Sequence, residues 1–99
     1  MNYKISNEAS NDLEKIWLNT IENWYAEQAD RYLKLIFEEI EYLSMKPNSG
    51  TDFGHVRKGY LRTKVKSHFI FYINDEKQIE LKIIRMLHQQ MDNKNRLQE

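Results

Sequence analysis

Apolar residues along this chain keep a helical spacing through its first half and then switch to alternation beyond residue 50. Before the first helical stretch, residues 2–5 alternate polar and apolar with Tyr3 and Ile5 on one side, which predicts a short strand. Ser6 or Asn7 is placed to cap the element that follows, because a short side-chain oxygen accepts the orphan N–H groups of a helix's first turn. Leu13, Ile16, Trp17, Ile21, Trp24 and Tyr25 then form one helical stripe, with Glu14, Asn19, Glu22 and Asn23 off it. Ala29, Tyr32, Leu33, Ile36, Phe37, Ile40 and Leu43 form a second. No strong breaker divides the two stripes. Their phase changes near residues 26–28, so a helical hairpin is expected; one long helix is the alternative, and its stripe would need a partner chain to cover it.

Lys46, Pro47 and Gly50 end the second helix, since proline lacks an amide hydrogen and glycine tolerates positive φ. From Tyr60 to Val65 the chain alternates Tyr60, Arg62 and Lys64 against Leu61, Thr63 and Val65, predicting a strand with one basic and one apolar face. Lys66 and Ser67 are compatible with a tight turn. Residues 68–73 read as the next strand, residues 74–77 as a turn, and Ile79, Leu81 and Ile83 as one face of a last strand whose other face carries Ile84 and Met86. The polar tail over residues 89–97 has room for one short docked helix.

The expected fold is therefore α+β: an N-terminal strand and a two-helix hairpin packed on one face of a largely antiparallel four-stranded sheet, with a short C-terminal helix. The uncovered face is expected to carry Tyr60, Arg62, Lys64, His68, Tyr72 and Arg85, with His68 across a hairpin from Arg62.

The 99 residues make a single domain, 1–99, and 40% apolar content fits a folded core. The chain has no cysteine, which removes disulfides, thiolate metal ligands and cysteine nucleophiles and fits a reducing compartment. No apolar leader or membrane-length run is present, so a cytoplasmic location is the default expectation. Formal net charge is zero, yet residues 1–49 carry five Lys/Arg against nine Asp/Glu and residues 50–99 carry ten against six. A neutral chain has polarised itself, which points to a face that meets an acidic partner.

The positive end lies in residues 55–72. Lys58, Arg62, Lys64 and Lys66 can meet phosphates or carboxylates there, with Tyr60 and Tyr72 able to stack or donate hydrogen bonds. Such alternating charge also serves solubility and edge protection. His55, His68 and His88 are spaced by 13 and 20 residues, matching no compact metal-ligand signature, so neither metal nor cofactor is expected. An Arg, His and Tyr set at strand ends can in principle serve a phosphodiester, although structural roles are commoner. Asp12, Glu14, Glu38, Glu39 and Glu41 read as solvated charge on polar helix faces. Trp17 and Trp24, seven apart, read as core or interface residues on one helix face. No Walker loop, nucleophile elbow or dinucleotide fingerprint appears.

The N-terminal Tyr3-Lys4-Ile5, the Leu13/Ile16 helix, Arg62 ahead of Ser67-His68-Phe69-Ile70-Phe71-Tyr72, and Ile83-Ile84-Arg85-Met86-Leu87-His88-Gln89-Gln90-Met91-Asp92 together resemble the ParE toxin family of the RelE/ParE superfamily, over about 90 of the 99 residues. The resemblance implies a plasmid-stabilisation type of function: the toxin of a type II toxin–antitoxin system, held by a ParD-like antitoxin, that inhibits DNA gyrase without itself cutting DNA. It offers Lys58, Tyr60, Arg62, Lys64, His68, Tyr72 and Arg85 as target-binding candidates, and Trp17, Trp24, Tyr25, Arg57 and Arg62 as antitoxin-binding ones. The RelE branch implies an alternative, a ribosome-dependent mRNA endoribonuclease with Arg62, Arg85 and His88 as its catalytic set; an inactive antitoxin-binding member is a third. Direct nucleic-acid binding stays open. No tyrosine follows Tyr72, which weakens the nuclease alternative, and Gln89-Gln90 stand where many ParE-like chains carry arginine.

Overall fold

The structure, a computed structural model, describes residues 1–90. Strand β1 (Asn2–Ile5) leads into helix α1 (Asn7–Asn23), followed by α2 (Ala26–Met45), β2 (Thr51–Asp52), β3 (Tyr60–Val65), β4 (His68–Asp75) and β5 (Glu80–His88). The docked C-terminal helix expected for the tail lies outside the described residues.

Ser6 settles the first junction with three bonds. Its side chain accepts from the Ala9 amide at 3.0 Å, the N-cap expected of it, and donates to the Ile84 carbonyl at 2.9 Å. Its own amide donates to the Ile83 carbonyl at 3.0 Å, so the start of α1 is pinned to β5. The hairpin reading holds: α1 and α2 are joined by Trp24, whose φ of −129° and ψ of −97° leave the helix, and Tyr25, which is fully extended. Nothing in these two side chains announces a turn, which is why only a phase change betrayed it. Trp24 sits beyond the helix end, so the shared helix face expected for Trp17 and Trp24 does not exist.

The sheet has five strands in the order β1-β5-β4-β3-β2 and is mixed, because β1 runs parallel to β5. The α+β class is as expected, with one strand more: β2 pairs only Thr51 and Asp52 with Arg62 and Leu61, too short to show alternation in sequence. Both helices cover one face, where Ile36, Ile40, Leu43, Ile70, Leu81 and Ile83 are fully buried.

The β3–β4 register corrects the expected open face. Val65 pairs with His68 across the two-residue turn, where Lys66 takes a φ of 53°. Residues flanking a two-residue turn share a face, so His68, Ile70 and Tyr72 fall with Val65, Thr63 and Leu61 on the helix side. Arg62 therefore faces Phe71, not His68. Tyr72 is completely buried; its hydroxyl donates to the Pro47 carbonyl and accepts the Gly50 amide, both at 3.0 Å, tying the end of α2 to the sheet. Two further expectations fail. Ile79 belongs to the β4–β5 turn with a φ of 52° and is exposed, and Asp12 is buried on the core side of α1 between Ala9 and Ile16.

Candidate functional site

Past Ile83 the outer edge of β5 has lost its neighbour, since β1 ends at Ile5. The Asp12 carboxylate takes over, accepting the Met86 amide at 2.9 Å together with Arg85 Nε at 2.8 Å and Arg85 Nη2 at 3.1 Å. A register shift between Phe71 and Tyr72 against β5 accompanies this, and a bulge of that kind re-aims neighbouring side chains. Arg85 is thus turned toward α1.

Beside this knot a groove begins. Its first part, about 350 Å³, is walled by Asp12, Lys15 and Asn19 of α1 and by Arg85 and His88 of β5. A second part of about 460 Å³ shares Asn19, His68 and His88 with the first and continues past Trp24, Tyr32 and Lys66. A third of about 350 Å³ shares Leu35 and Lys66 with the second and runs between Tyr42 of α2 and Lys64 and Val65 of β3. The three form one channel along the helical hairpin, flanked by the β3–β4 turn and the end of β5. Its apolar surface includes Trp24, Leu35 and Tyr42, all exposed, the first at 70%. Its cations include Lys15, Arg31 and Lys66, with Arg31 held by Glu27 at 2.8 Å.

His68 and His88 lie where the first two parts meet, ring centroids 5.1 Å apart and edge to face. Tyr32 approaches His68 Nδ1 at 2.7 Å and also donates to the Val65 carbonyl at 3.0 Å. Burial first, and the neighbouring His88 second, push His68 down to about 4, with Asp12 pulling the other way. His68 is thus neutral near pH 7.

The opposite face of the sheet carries different chemistry. The Arg62 guanidinium stacks over Phe69 at 4.0 Å and over Phe53 at 4.7 Å. Lys64 lies 5.8 Å from the Phe69 ring centre and Arg57 5.9 Å from that of Tyr60. Beneath them Tyr60, Phe71 and Leu87 form a small second core.

The candidates from sequence are therefore divided between two surfaces. Tyr60, Arg62 and Arg57 belong to the cation–aromatic face, Lys64 borders both that face and the third part of the groove, and Lys58 is exposed in the loop before β3. His68 and Arg85 line the groove, and Tyr72 is sealed in the core. Of the antitoxin-binding candidates, Trp24 lines the groove and Tyr25 is exposed at the hairpin tip, while Trp17 donates to Asp30 at 3.4 Å and Arg57 and Arg62 lie on the other face. The alternative catalytic set does not converge: Arg62 is stacked on the open face, whereas Arg85 and His88 line the groove. Lys15, Leu35 and Tyr42 escaped the sequence reading, which places Tyr32 only in the apolar stripe of the second helix. Leu35 and Tyr42 carried a signal, being seven residues apart and off the core stripe of α2. Among the described residues no cluster of three or more His, Cys, Asp or Glu can hold a metal ion, and no helix is long and apolar enough to cross a membrane.

Known proteins match this architecture over nearly its whole length. The family described as ParE toxin of type II toxin-antitoxin system, parDE, matches residues 3–93. Toxin ParE1 of Caulobacter vibrioides is 34% identical over 90 residues, covering 91% of each chain. Toxin ParE1 of Mycobacterium tuberculosis is 34% identical over 91 residues, again 91% of each. A solved chain from the chromosomal ParDE TA system from P. aeruginosa shares the fold at a TM-score of 0.74 and 19% identity, covering 89% of this chain and 95% of that one. With the family's pattern spanning both helices and every strand, the chain belongs to the ParE toxin family of type II toxin–antitoxin systems.

Proposed function

We propose that this toxin is neutralised by a ParD-like antitoxin whose amphipathic segment lies in the groove along the helical hairpin, and that the released toxin inhibits DNA gyrase. The observation that carries the first part is the groove itself. Exposed Trp24, Leu35 and Tyr42 supply apolar anchors for one face of a helix or extended segment, and Lys15, Arg31 and Lys66 steer acidic residues on its flank. The ionic share of this binding weakens with added salt, while aromatic burial persists.

Gyrase as target is supported by family membership and by a second surface that the antitoxin groove leaves uncovered. Arg62, stacked over Phe69 and Phe53, forms a preordered cationic patch suited to an acidic protein surface, with Lys64 at the margin it shares with the groove. Stacking limits the freedom that each cation would otherwise lose on docking.

The test pairs the purified chain with DNA gyrase and with the small protein encoded beside it. Supercoiling should fail and cleaved DNA should accumulate in the presence of toxin, and added antitoxin should restore activity. Normal supercoiling across several gyrase sources would remove the target. New mRNA ends on induction of the toxin would replace it with the ribosome.

A further inference from the structure

At the junction of the first two parts of the groove, the floor is a pair of imidazoles, each hydrogen-bonded at Nδ1. We assign the one hydroxyl hydrogen of Tyr32 to the Val65 carbonyl at 3.0 Å, which can only accept. The 2.7 Å contact between Tyr32 and His68 Nδ1 is then a hydrogen bond only if Nδ1 carries its own hydrogen and donates. Ser67's amide donates to the same phenol oxygen at 3.3 Å. On the second ring the Gln90 amide donates to His88 Nδ1 at 3.1 Å, so Nδ1 is bare and Nε2 holds the hydrogen. Neutral His68 thus has Nε2 left as an acceptor, and His88 has Nε2–H left as a donor.

The charges around this pair are biased. From α1 come Asp12 and Lys15, with Asp12 already engaged by Arg85 of β5 and by the Met86 amide. From α2 come Tyr32 and Arg31, the latter held by Glu27. From the β3–β4 turn comes Lys66. Lys15 and Lys66 therefore flank the imidazoles from two sides, and neither forms an ion pair among the described residues.

We infer that the His68–His88 ridge is a subsite for a carboxylate side chain of the bound antitoxin segment, and that filling it draws one proton from solvent onto His68 Nε2. The inference rests on the proposal that the groove receives the antitoxin. One carboxylate oxygen accepts from His88 Nε2–H and the other from the newly protonated His68 Nε2–H, while Lys15 and Lys66 complete the positive surround. A side-chain amide would match the neutral donor and acceptor but would gain little from the two lysines. In the unbound chain burial and His88 hold His68 near 4. A carboxylate in contact opposes both causes and raises the value in the complex, so affinity grows as pH falls through that raised value toward the free chain's value of about 4.

Calorimetry of the full-length chain with its adjacent-gene antitoxin, at pH 7 and pH 6 in two buffers of different ionisation enthalpy, tests this directly. The expected result is net proton uptake and several-fold tighter binding at the lower pH, both lost in His68→Gln. His88→Gln, at the end of β5, should do the same and serves if His68→Gln does not fold. Tight binding without proton uptake, or uptake unchanged in the histidine variants, overturns the inference while leaving the groove as the docking site. Failure of the antitoxin to bind overturns the docking proposal; the subsite is then judged by titrating the free chain with sodium acetate against sodium chloride. Saturable acetate-specific movement of the His68 and His88 ring proton signals supports a carboxylate subsite, and its absence rejects one.

Discussion

Asp12 binds Arg85 side-on, one carboxylate oxygen 2.8 Å from Nε and the other 3.1 Å from Nη2, while the first oxygen also accepts the Met86 amide. One carboxylate thereby neutralises a cation and closes the β5 edge where β1 has ended. It also sets the direction in which Arg85 enters the groove wall, a positioning role within the fold.

Replacing Asp12 with alanine leaves both Arg85 and the Met86 amide without this partner in a largely buried site, with side-chain exposures of 20% for Arg85 and 8% for Asp12. Breaking such a pair from one side costs roughly 3 kcal/mol. Urea denaturation should show that loss for Asp12→Ala, and a smaller one for the double replacement Asp12→Leu/Arg85→Met, which removes both members of the pair together. Equal losses would mean that the pair is not coupled.

Much of this fold could be read from periodicity, and what could not has identifiable causes. The helix stripes ending in Ile36, Ile40 and Leu43, and the β3 alternation, place those residues correctly because burial imposes the periods directly. Alternation alone does not decide the face of β4, because its two sides, His68, Ile70, Tyr72 and Phe69, Phe71, Ile73, are almost equally apolar; only the turn register decides between them. Asp12 looked solvated because charge outweighed position, although three residues after Ala9 and four before Ile16 is a core position. The lining of the groove between hairpin and sheet could not be read for a different reason. It joins Lys15 and Asn19 to His68 and His88, which meet only through pairing of the two strand ends.

Tyr72→Phe removes a hydroxyl that both donates to Pro47 and accepts from Gly50 in a fully buried position. Leaving a carbonyl and an amide unmatched costs about 1 to 3 kcal/mol. Burial raises the Tyr72 phenol above its ordinary value. Folding therefore favours its protonated form, and this contribution is complete below pH 10 and lost as pH rises from there through the folded value. Stability measured across the alkaline range should fall more steeply in the parent chain than in Tyr72→Phe. Gly50→Ala should be destabilising as well, since a Cβ there would collide with the Tyr72 hydroxyl and crowd the Arg62 carbonyl.

His68 gives the opposite pH dependence. Its folded value of about 4 lies below the ordinary 6.5, so folding favours the neutral ring. Its contribution is present above about pH 6.5 and disappears as pH falls toward 4. Because the ring is only partly buried, solvent screening reduces the effect to about 1 to 2 kcal/mol. Thermal unfolding between pH 7 and pH 4.5 should show a decline that His68→Gln flattens. An equally steep decline in that variant would place the acid sensitivity elsewhere.

Trp24 and Arg62 separate the two surfaces. Trp24 is 70% exposed at the hairpin tip, so Trp24→Ala should leave stability within about 0.5 kcal/mol of the parent. If it anchors the antitoxin, the same change weakens the complex by about 10- to 100-fold, the range of an aromatic hot spot. Arg62 stacks on Phe53 and Phe69 on the far side of the sheet from the helices. Arg62→Ala should keep antitoxin affinity within about twofold, as expected of a residue outside the interface, and reduce inhibition of supercoiling. Affinity by calorimetry and inhibition by supercoiling assay, measured on both variants, form a two-by-two comparison. Parallel loss of both properties in both variants would show that antitoxin and target share one surface, and the division between groove and open face would have to be abandoned.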